Sequence, residues 1–388
     1  MKKYILLILV ILTTNGFGET IRISKSAFDK QKTIYFSKVN NSDEYTKLIN
    51  SDLIRCGWFK VINSNDADYK LTGDFEKGKL VLDLKGEEKD TQLTMIDNPN
   101  KALVVHTVVD SILNKVFKID GICKSKIIFV TEIKKGIKEI YSCDFDGKNV
   151  RRLTKSQTIS VEPDWLDKNR ILYTMYTKGG VQVIQKDLAR NVSMRVSVKP
   201  GLNSSPSASP DGKSMALIMS FQKNIDLYIK SPIVKGKLLK LTNDRYSESS
   251  PCWSPDGKQI CFVSDKTGRP KLYLINSNGQ NLFRLRTQGR EAVSPDWSKN
   301  NQLTYSVKLG SNYGIAVLDI NKNYREKILS LGAGDWESPS WAPDNRHIVC
   351  YRTINRKQEL FIIDTWTSKS RKLLDSELNF SLPSWSEN

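Results

Sequence analysis

The sequence predicts an N-terminal α/β domain followed by an all-β, six-bladed β-propeller. A proline recurs six times, and tryptophan stands two positions after it in five of the six copies. The intervals between the prolines are 43, 45, 44, 44 and 44 residues. Repeats of about 44 residues with strand and turn content are typical of propeller blades with four strands each. The repeat prolines are Pro163, Pro206, Pro251, Pro295, Pro339 and Pro383.

A tight hairpin follows each repeat tryptophan. Gly or Asn stands four positions after the tryptophan position, and both tolerate the left-handed backbone of such a turn. These residues are Asn169, Gly212, Gly257, Asn301 and Asn345. We expect the tryptophans to pack between neighbouring blades, since each blade must bury both of its faces. They are Trp165, Trp253, Trp297, Trp341 and Trp385, with Ala208 in the remaining copy.

Residues 1–18 predict a secretory signal peptide. Lys2 and Lys3 precede an apolar run over residues 5–12 that is too short to span a bilayer, and Gly16 and Gly18 suit a cleavage site. We therefore expect an exported product without direct membrane insertion. Removal of the two lysines lowers the formal charge from +18 to +16.

Residues 19–122 lack the repeat and predict the α/β domain. Strands are expected at 20–24, 32–39, 58–62, 67–73 and 79–84. One helix is predicted after Ser42, which suits an N-cap, and ends at Gly57. A second helix begins near Asn100 and carries an apolar stripe. We expect His106, on this helix, at the surface or at a boundary.

The propeller is predicted over residues 123–388. Three strands, at 127–130, 139–141 and 150–153, precede the first repeat proline, and a lone strand at 382–385 comes last. Pairing of that last strand with the first three would complete a blade and hide two sheet edges. The sequence therefore predicts six blades in a ring that the C-terminal strand closes.

Charge and cysteines narrow the function classes. The positive charge suits an anionic partner, such as an acidic protein face, or a lysine-rich solvated surface; export argues against nucleic acid. The six cysteines form no C-x-x-C pair, and only two histidines occur, so we expect no metal and no cofactor. Cys252 and Cys261 should face each other across a hairpin, as a disulfide or as buried thiols.

Catalytic motifs are sparse. No G-x-S-x-G motif occurs, and His347 is expected to be a solvated turn residue. We therefore predict a non-enzymatic protein. The alternative is an exported propeller enzyme, such as a carbohydrate lyase or lactonase, that uses channel carboxylates and a cation.

The loops that precede each proline should surround one mouth of the central channel. They combine small polar residues, a few charges and the aromatic residues Tyr246, Trp336 and Phe380. This composition suits a protein-binding surface with aromatic anchors, or ordinary loops.

Together these features resemble the TolB family, the periplasmic propeller proteins of the Tol–Pal system. The resemblance covers nearly the whole mature chain. It includes residues 51–59, Ala67-Asp68 before a strand that ends at Gly73, residues 110–121 and the closing residues 382–386. It implies a monomeric, non-enzymatic adaptor in the periplasm that supports outer-membrane integrity and cell division.

The resemblance also implies two partner sites. In the family the channel mouth receives the peptidoglycan-associated lipoprotein Pal, and the mature N-terminus contacts the inner-membrane protein TolA. By position, the residues facing a Pal-like partner are Asn203, Ser205, Glu248, Ser249, Val293, Trp336 and Glu337. Those facing a TolA-like partner are Glu19, Thr20, Ile21, Arg22, Ile23 and Ser24.

Overall fold

The computed structural model of the protein describes residues 31–86, 90–220 and 224–387. The predicted signal peptide, the predicted strand at 20–24 and the predicted N-terminal contact residues Glu19 to Ser24 lie outside the described residues. Among the described helices, none has both the length and the apolar character needed to cross a bilayer.

The N-terminal region is a five-stranded mixed sheet with two helices. The strands are β1 (Thr33–Asn40), β2 (Lys60–Val61), β3 (Tyr69–Glu76), β4 (Lys79–Gly86) and β5 (Thr91–Ile96), and the helices are α1 (Asp43–Arg55) and α2 (Lys101–Phe117). Their order in the sheet is β2-β1-β3-β4-β5, with β1 parallel to both of its neighbours. The prediction missed β5, because this edge strand has no buried side chain to mark it.

Both helices begin where the sequence predicts. The Ser42 hydroxyl accepts a hydrogen bond from the backbone N–H of Tyr45 at 3.2 Å, and the Asn100 side chain accepts one from Leu103 at 3.2 Å. These caps satisfy backbone donors that have no partner inside the helix. The apolar faces of α1 and α2 then pack on the sheet around Tyr45, Ile49 and Val108.

The propeller contains six four-stranded antiparallel sheets. We label strands A to D outward from the channel. Strands B to D of blade 1 are β6 (Lys126–Lys134), β7 (Ile137–Asp144) and β8 (Arg151–Arg152). Blade 2 is β9 (Ser160–Asp167), β10 (Arg170–Thr177), β11 (Gly180–Asp187) and β12 (Val192–Ser197). Blade 3 is β13 (Asn203–Ala208), β14 (Met215–Met219), β15 (Asp226–Ser231) and β16 (Lys237–Lys240).

The remaining blades repeat this pattern. Blade 4 is β17 (Glu248–Trp253), β18 (Gln259–Ser264), β19 (Lys271–Asn276) and β20 (Phe283–Arg284). Blade 5 is β21 (Ala292–Trp297), β22 (Gln302–Leu309), β23 (Asn312–Asp319) and β24 (Arg325–Ile328). Blade 6 is β25 (Asp335–Trp341), β26 (His347–Ile354), β27 (Lys357–Asp364) and β28 (Ser370–Lys372).

The last strand closes the ring, as the sequence predicts. Strand β29 (Phe380–Trp385) supplies strand A of blade 1 and pairs antiparallel with β6, with Trp385 opposite Ile127. The Trp385 indole is 5% exposed, and its Nε1–H donates to the Ser125 hydroxyl at 2.6 Å. Both ends of the propeller are therefore held in one sheet.

The repeat residues have structural roles. Trp253 lies in the apolar cluster between blades 3 and 4, and its Nε1–H donates to the Ser207 carbonyl of blade 3 at 3.1 Å. Four of the predicted left-handed turn residues have positive φ, namely Gly212, Gly257, Asn301 and Asn345. Asn169 does not, so the prediction is wrong there; its N–H instead donates to the Asp167 carboxylate.

The N-terminal domain docks on the propeller end formed by the A–B and C–D turns. The Trp58 indole donates to Asp344 at 2.9 Å, and Arg55 donates to the Asp146 carbonyl at 3.1 Å. The guanidinium of Arg346 lies between the Trp58 and Trp366 rings, 4.9 and 4.4 Å from their centroids. The apolar core continues from the small domain into blades 1 and 6.

Both histidines lie at this domain interface, contrary to the sequence predictions. His106 is 6% exposed and pairs with Asp52 at 2.6 Å, while His347 is 4% exposed and pairs with Asp344 at 2.6 Å. The predictions failed because each histidine is buried by a contact between domains. His106 packs edge-on against Phe145 of blade 1, and His347 lies against Gly57.

We predict that Trp385→Ala lowers the free energy of unfolding by roughly 3–5 kcal/mol, because it leaves a cavity at the ring closure. Urea unfolding followed by tryptophan fluorescence and circular dichroism measures the change. Phe283→Ala is the control; Phe283 is 40% exposed on an outer strand, and its loss should cost less than about 1 kcal/mol. Equal effects of the two substitutions would contradict this role of β29.

Candidate functional site

Six strained residues surround the channel. The residue before each repeat proline has a left-handed backbone: Glu162 (φ 52°), Ser205 (47°), Ser250 (48°), Ser294 (51°), Ser338 (49°) and Leu382 (48°). At each of these positions the pairing of strand A with strand B shifts register. Proline cannot donate to the ladder, and a bulge accommodates it. Non-glycine residues in this conformation cost of order 1–3 kcal/mol each and persist only where the surroundings hold them.

These six residues form the channel mouth. They line a cavity of about 170 Å³ together with the repeat prolines and the residues that follow them. The mouth lies at the end of the propeller that carries the D–A loops and B–C turns. The described residues of the N-terminal domain pack on the opposite end and leave the mouth uncovered.

Hydrogen bonds between blades hold the mouth. The Glu162 carboxylate of blade 2 accepts from the backbone N–H of Ser205 at 2.7 Å, from the Ser205 hydroxyl at 2.9 Å and from Thr174 at 2.7 Å. The backbone N–H of Ser338 donates to the Ser306 hydroxyl at 3.0 Å. Such bonds fix the mouth before any partner binds, which lowers the entropic cost of binding.

The residues that follow the six prolines line the same cavity. Two of these are aspartates on opposite blades, Asp164 of blade 2 and Asp296 of blade 5. Asp164 accepts from the backbone N–H of Ala208 at 2.8 Å, and Asp296 accepts from that of Trp341 at 2.6 Å. Desolvation in the channel wall raises the pKa of Asp164 to about 7 and that of Asp296 to about 6. These carboxylates therefore join neighbouring blades and titrate near neutral pH.

A second cavity of larger volume, which we call the vestibule, shares Asp164 and Asp296 with the mouth cavity. Its volume is about 640 Å³, and the repeat tryptophans and Lys299 contribute to its wall. Lys299 also pairs with Asp120 at 3.1 Å, which links the vestibule to the segment between the two domains.

Four of the residues predicted to face a Pal-like partner are accessible at the mouth end. Ser249 is exposed, whereas Ser205, Val293 and Glu337 are half-buried. Burial raises the pKa of the Glu337 carboxyl. These four lie on strands A of blades 3 to 6. Ser205 lines the mouth cavity, and Ser249, Val293 and Glu337 each directly precede a residue that lines it.

The other three predicted residues lie beneath this surface. Asn203 is fully buried and bonds Ser197 and the Lys199 carbonyl, each at 2.7 Å. Trp336 is 2% exposed, donates to the Gly332 carbonyl and packs against Phe361. Glu248 is 3% exposed, and burial raises its pKa to about 8. The side chains of these residues hold the loops from within.

Sequence reasoning missed several mouth residues. Glu162, Ser250, Ser294, Ser338 and Leu382 were not singled out, although each directly precedes a repeat proline. That position was the available signal, because a proline inside a strand implies a bulge. Glu162 also accepts hydrogen bonds from Ser205 of the next blade, and no feature of the repeat predicts this contact.

Within the described residues, no three His, Cys, Asp or Glu side chains converge as a metal site. The six cysteines are buried free thiols. Cys252 and Cys261 are cross-strand partners, as predicted, and burial raises the pKa of the Cys252 thiol.

The geometry defines a two-domain β-propeller protein with its candidate site at the channel mouth. A family profile described as the TolB beta propeller domain matches residues 113–388. The chain belongs to the TolB propeller family.

Individual relatives match over parts of the chain. A TolB homolog of Chlorobium luteolum is 35% identical over 159 residues, which cover 39% of this chain and 34% of the relative. The Tol-Pal system protein TolB of Francisella tularensis is 27% identical over 228 residues, or 56% of this chain and 51% of the relative. The matches therefore span about a third to a half of the length of these relatives.

Solved structures share the fold. The crystal structure of TolB from Acinetobacter baumannii matches with a TM-score of 0.83 at 22% identity, covering 92% of this chain and 97% of that one. A chain of the nidogen/laminin complex matches with a TM-score of 0.57 at 8% identity, over 68% of this chain. The first match includes the N-terminal domain, and the second shows a related architecture in a different setting.

We predict a pH-dependent effect of Asp164→Asn. The folded-state pKa of Asp164 is raised to about 7, so its contribution to stability is fully present below the ordinary aspartate pKa of about 3.9 and is lost as pH rises through 7. Asparagine keeps an acceptor for the Ala208 N–H and carries no charge. The free energy of unfolding of the variant, relative to the parent, should therefore rise from pH 4 to pH 8.

Urea unfolding at several pH values measures this difference. Asp211→Asn is the control, because Asp211 lies in an exposed turn and hydrogen bonds from Ser209 and Lys213 lower its pKa. The free energy of unfolding of this control, relative to the parent, should stay constant from pH 4 to pH 8. If the free energy of unfolding of Asp164→Asn relative to the parent does not change with pH, the pKa of Asp164 is not raised in the folded state.

Proposed function

We propose that this protein is a non-enzymatic periplasmic adaptor of a Tol–Pal envelope system. Membership of the TolB propeller family supports this proposal, as does the named role of the Francisella relative. The observation that carries it is the channel mouth, a polar opening that the described residues of the N-terminal domain leave uncovered. An adaptor needs two separate contact surfaces, and we assign one to the mouth and the other to residues 19–24.

The proposed partner at the mouth is a Pal-like peptidoglycan-associated lipoprotein. Ser205, Ser249, Val293 and Glu337 would contact it directly, and the left-handed residues would set the shape of the opening. Asn203, Glu248 and Trp336 would act indirectly, by holding the loops. Preorganised loops with a polar rim suit recognition of a folded protein.

The proposed partner of residues 19–24 is a TolA-like inner-membrane protein. The first described residue, Gln31, donates from its side chain to the Gly57 carbonyl at 2.8 Å, and Gly57 lies against His347 at the domain interface. Residues 19–24 precede this position in the sequence. Binding of both partners would support outer-membrane integrity and cell division.

The alternative proposal is an exported propeller enzyme. It would have to use Asp164 and Asp296, whose raised pKa values suit proton transfer near neutral pH. Both carboxylates, however, accept a hydrogen bond from a backbone N–H of the next blade. These bonds give each carboxylate a structural role in holding neighbouring blades together. We therefore favour the adaptor.

We predict that the double variant Ser249→Arg, Val293→Asp binds the lipoprotein at least tenfold more weakly. The arginine would obstruct the opening, and the aspartate would place an unpaired charge in the contact. Isothermal titration calorimetry with the lipid-free Pal-type domain of the same organism measures the affinity. Ser193→Arg, on the exposed outer strand of blade 2, is the matched control. Unchanged binding of the folded double variant would exclude the mouth as the contact surface.

Deletion of residues 19–24 from the mature protein should abolish binding of the TolA-type domain and leave lipoprotein binding unchanged, because this segment contributes none of the residues proposed to contact the lipoprotein. The same calorimetric titrations measure both affinities. Loss of both interactions, with normal thermal unfolding, would show that the sites are not separate. Loss of neither would exclude the segment as a contact.

A further inference from the structure

A cavity of about 290 Å³ lies between blades 1 and 2 and shares no residue with the mouth cavity or the vestibule. Strands β10, β11 and β12 of blade 2 form most of its wall, and the loop that follows β8 of blade 1 supplies the rest. The charged side chains of this wall are all cations, namely Lys155, Lys186 and Arg195. We call this cavity the basic pocket.

Comparison with other blades shows what Arg195 lacks. In blades 1, 3 and 6 the residue at this position of strand D is also a cation, and it pairs with a carboxylate near the start of strand C. These pairs are Arg152–Glu139 at 2.9 Å, Lys240–Asp226 at 2.8 Å and Lys372–Glu359 at 2.9 Å. In each blade the acid lies two residues before the cross-strand partner of the cation. In blade 2 that partner is Ile184, so the acid position holds the uncharged Gln182.

Gln182 and Arg195 both lack the partner that the repeat supplies elsewhere. Gln182 is 9% exposed, and its Oε1 is buried without a hydrogen-bond donor. Among the described residues, no carboxylate lies within ion-pair distance of Arg195. Glu139 of blade 1 is fully buried and already accepts hydrogen bonds from Arg152 and Thr154. The guanidinium of Arg195 is therefore available to an anion from outside the chain.

Lys186 places a second cation at a position that is apolar in four blades. It is the next-to-last residue of strand C, where those blades bury Cys143, Ile275, Leu318 and Ile363. Lys186 is only 9% exposed, and its Nζ donates to the Asn191 side chain at 2.7 Å. Burial lowers the pKa of Lys186, and no carboxylate of the described residues offsets this effect. A charge taken out of water without an opposite charge is costly, so this position favours a bound anion.

The strand register brings these cations together. Ser193 lies opposite Lys186 and Arg195 lies opposite Ile184, so the four residues share one face of the sheet. Lys186 and Arg195 are thus diagonal neighbours, which in a sheet lie about 7–8 Å apart. Lys155 adds a third positive charge from the loop of blade 1. Like charges at this spacing repel each other, and an anion between them would remove the repulsion.

We propose that the basic pocket binds the phosphate group of a small phosphorylated molecule. The planar guanidinium of Arg195 can bind two phosphate oxygens, and the two lysines supply point charges. Three cations match a phosphate dianion better than a singly charged carboxylate. Ile184 and Met194 line the same wall and would contact the carbon part of the ligand.

The size and place of the basic pocket define this ligand further. A volume of about 290 Å³ lies at the small end of the range for ligand pockets, so the ligand is no larger than a phosphorylated sugar or a lipid headgroup. The basic pocket is separate from both proposed partner sites. This inference therefore goes beyond the adaptor role and does not depend on it.

The test titrates the mature full-length protein with inorganic phosphate and, separately, with glycerol 3-phosphate, by isothermal titration calorimetry at low ionic strength. The pocket variant is Arg195→Gln, which removes the guanidinium from an exposed position. The matched control is Arg284→Gln, because Arg284 has the same place on strand D of blade 4 and lies outside the basic pocket. Thermal unfolding without ligand verifies that both variants fold.

We expect Arg195→Gln to bind these ligands on the order of tenfold more weakly, because it loses charge-assisted hydrogen bonds. Arg284→Gln should bind within about twofold of the parent. Gln182→Glu provides a second test, since it restores the acid that three other blades carry. Its carboxylate should pair with Arg195 and weaken phosphate binding to a similar extent. If Gln182→Glu does not fold, Arg195→Gln alone decides the outcome.

Vesicles of phosphatidylcholine with and without phosphatidic acid distinguish a lipid headgroup from a soluble phosphate ester. Binding of inorganic phosphate or glycerol 3-phosphate that weakens in Arg195→Gln would support a soluble ligand. Binding of phosphatidic acid vesicles alone, with the same dependence on Arg195, would support the same phosphate chemistry on a lipid. Binding of no probe, or binding that Arg195→Gln leaves unchanged, would overturn the inference and leave the channel mouth unaffected.

Discussion

The pairing of the last strand with β6 is the interaction on which the rest of the structure depends. This pairing closes the six sheets into a ring, and the N-terminal domain packs over the junction between blades 1 and 6. Trp58 contacts the turns of blade 6, while Arg55 contacts a turn of blade 1. Trp385 then bonds Ser125, in the segment that joins the two domains. The N-terminal domain and the last strand thus both stabilise the junction between blades 1 and 6.

The periodic part of the fold could be predicted from the sequence. Prolines about 44 residues apart fix the blade count, and the lone last strand fixes how the ring closes, because an unpaired edge would be costly. Local chemistry likewise located the helix starts at Ser42 and Asn100. By contrast, β5 has only a half-buried face, formed by Leu93 and Met95, and this alternation is too short to mark a strand clearly. The environment of His106 depends on Phe145 in another domain, which no local pattern reveals.

The candidate site was only partly predictable for a related reason. The position of the mouth follows from the order of the strands, so residues at the start of strands A could be named. Which of them face outward depends on how each loop packs against its neighbours. Glu248 and Trp336 are buried, whereas Ser249 is exposed. A repeat pattern locates the opening, and the backbone decides which side chains reach it.

At the six left-handed positions of the mouth, the backbone conformation is the same although the side chains differ. The same backbone conformation holds a carboxylate at Glu162, hydroxyls at four blades and an aliphatic chain at Leu382. The proline, the bulge and the hydrogen bonds between blades set the outline of the opening whichever side chain stands there. Evolution could therefore change what the opening recognises, one blade at a time, while the ring itself stays the same.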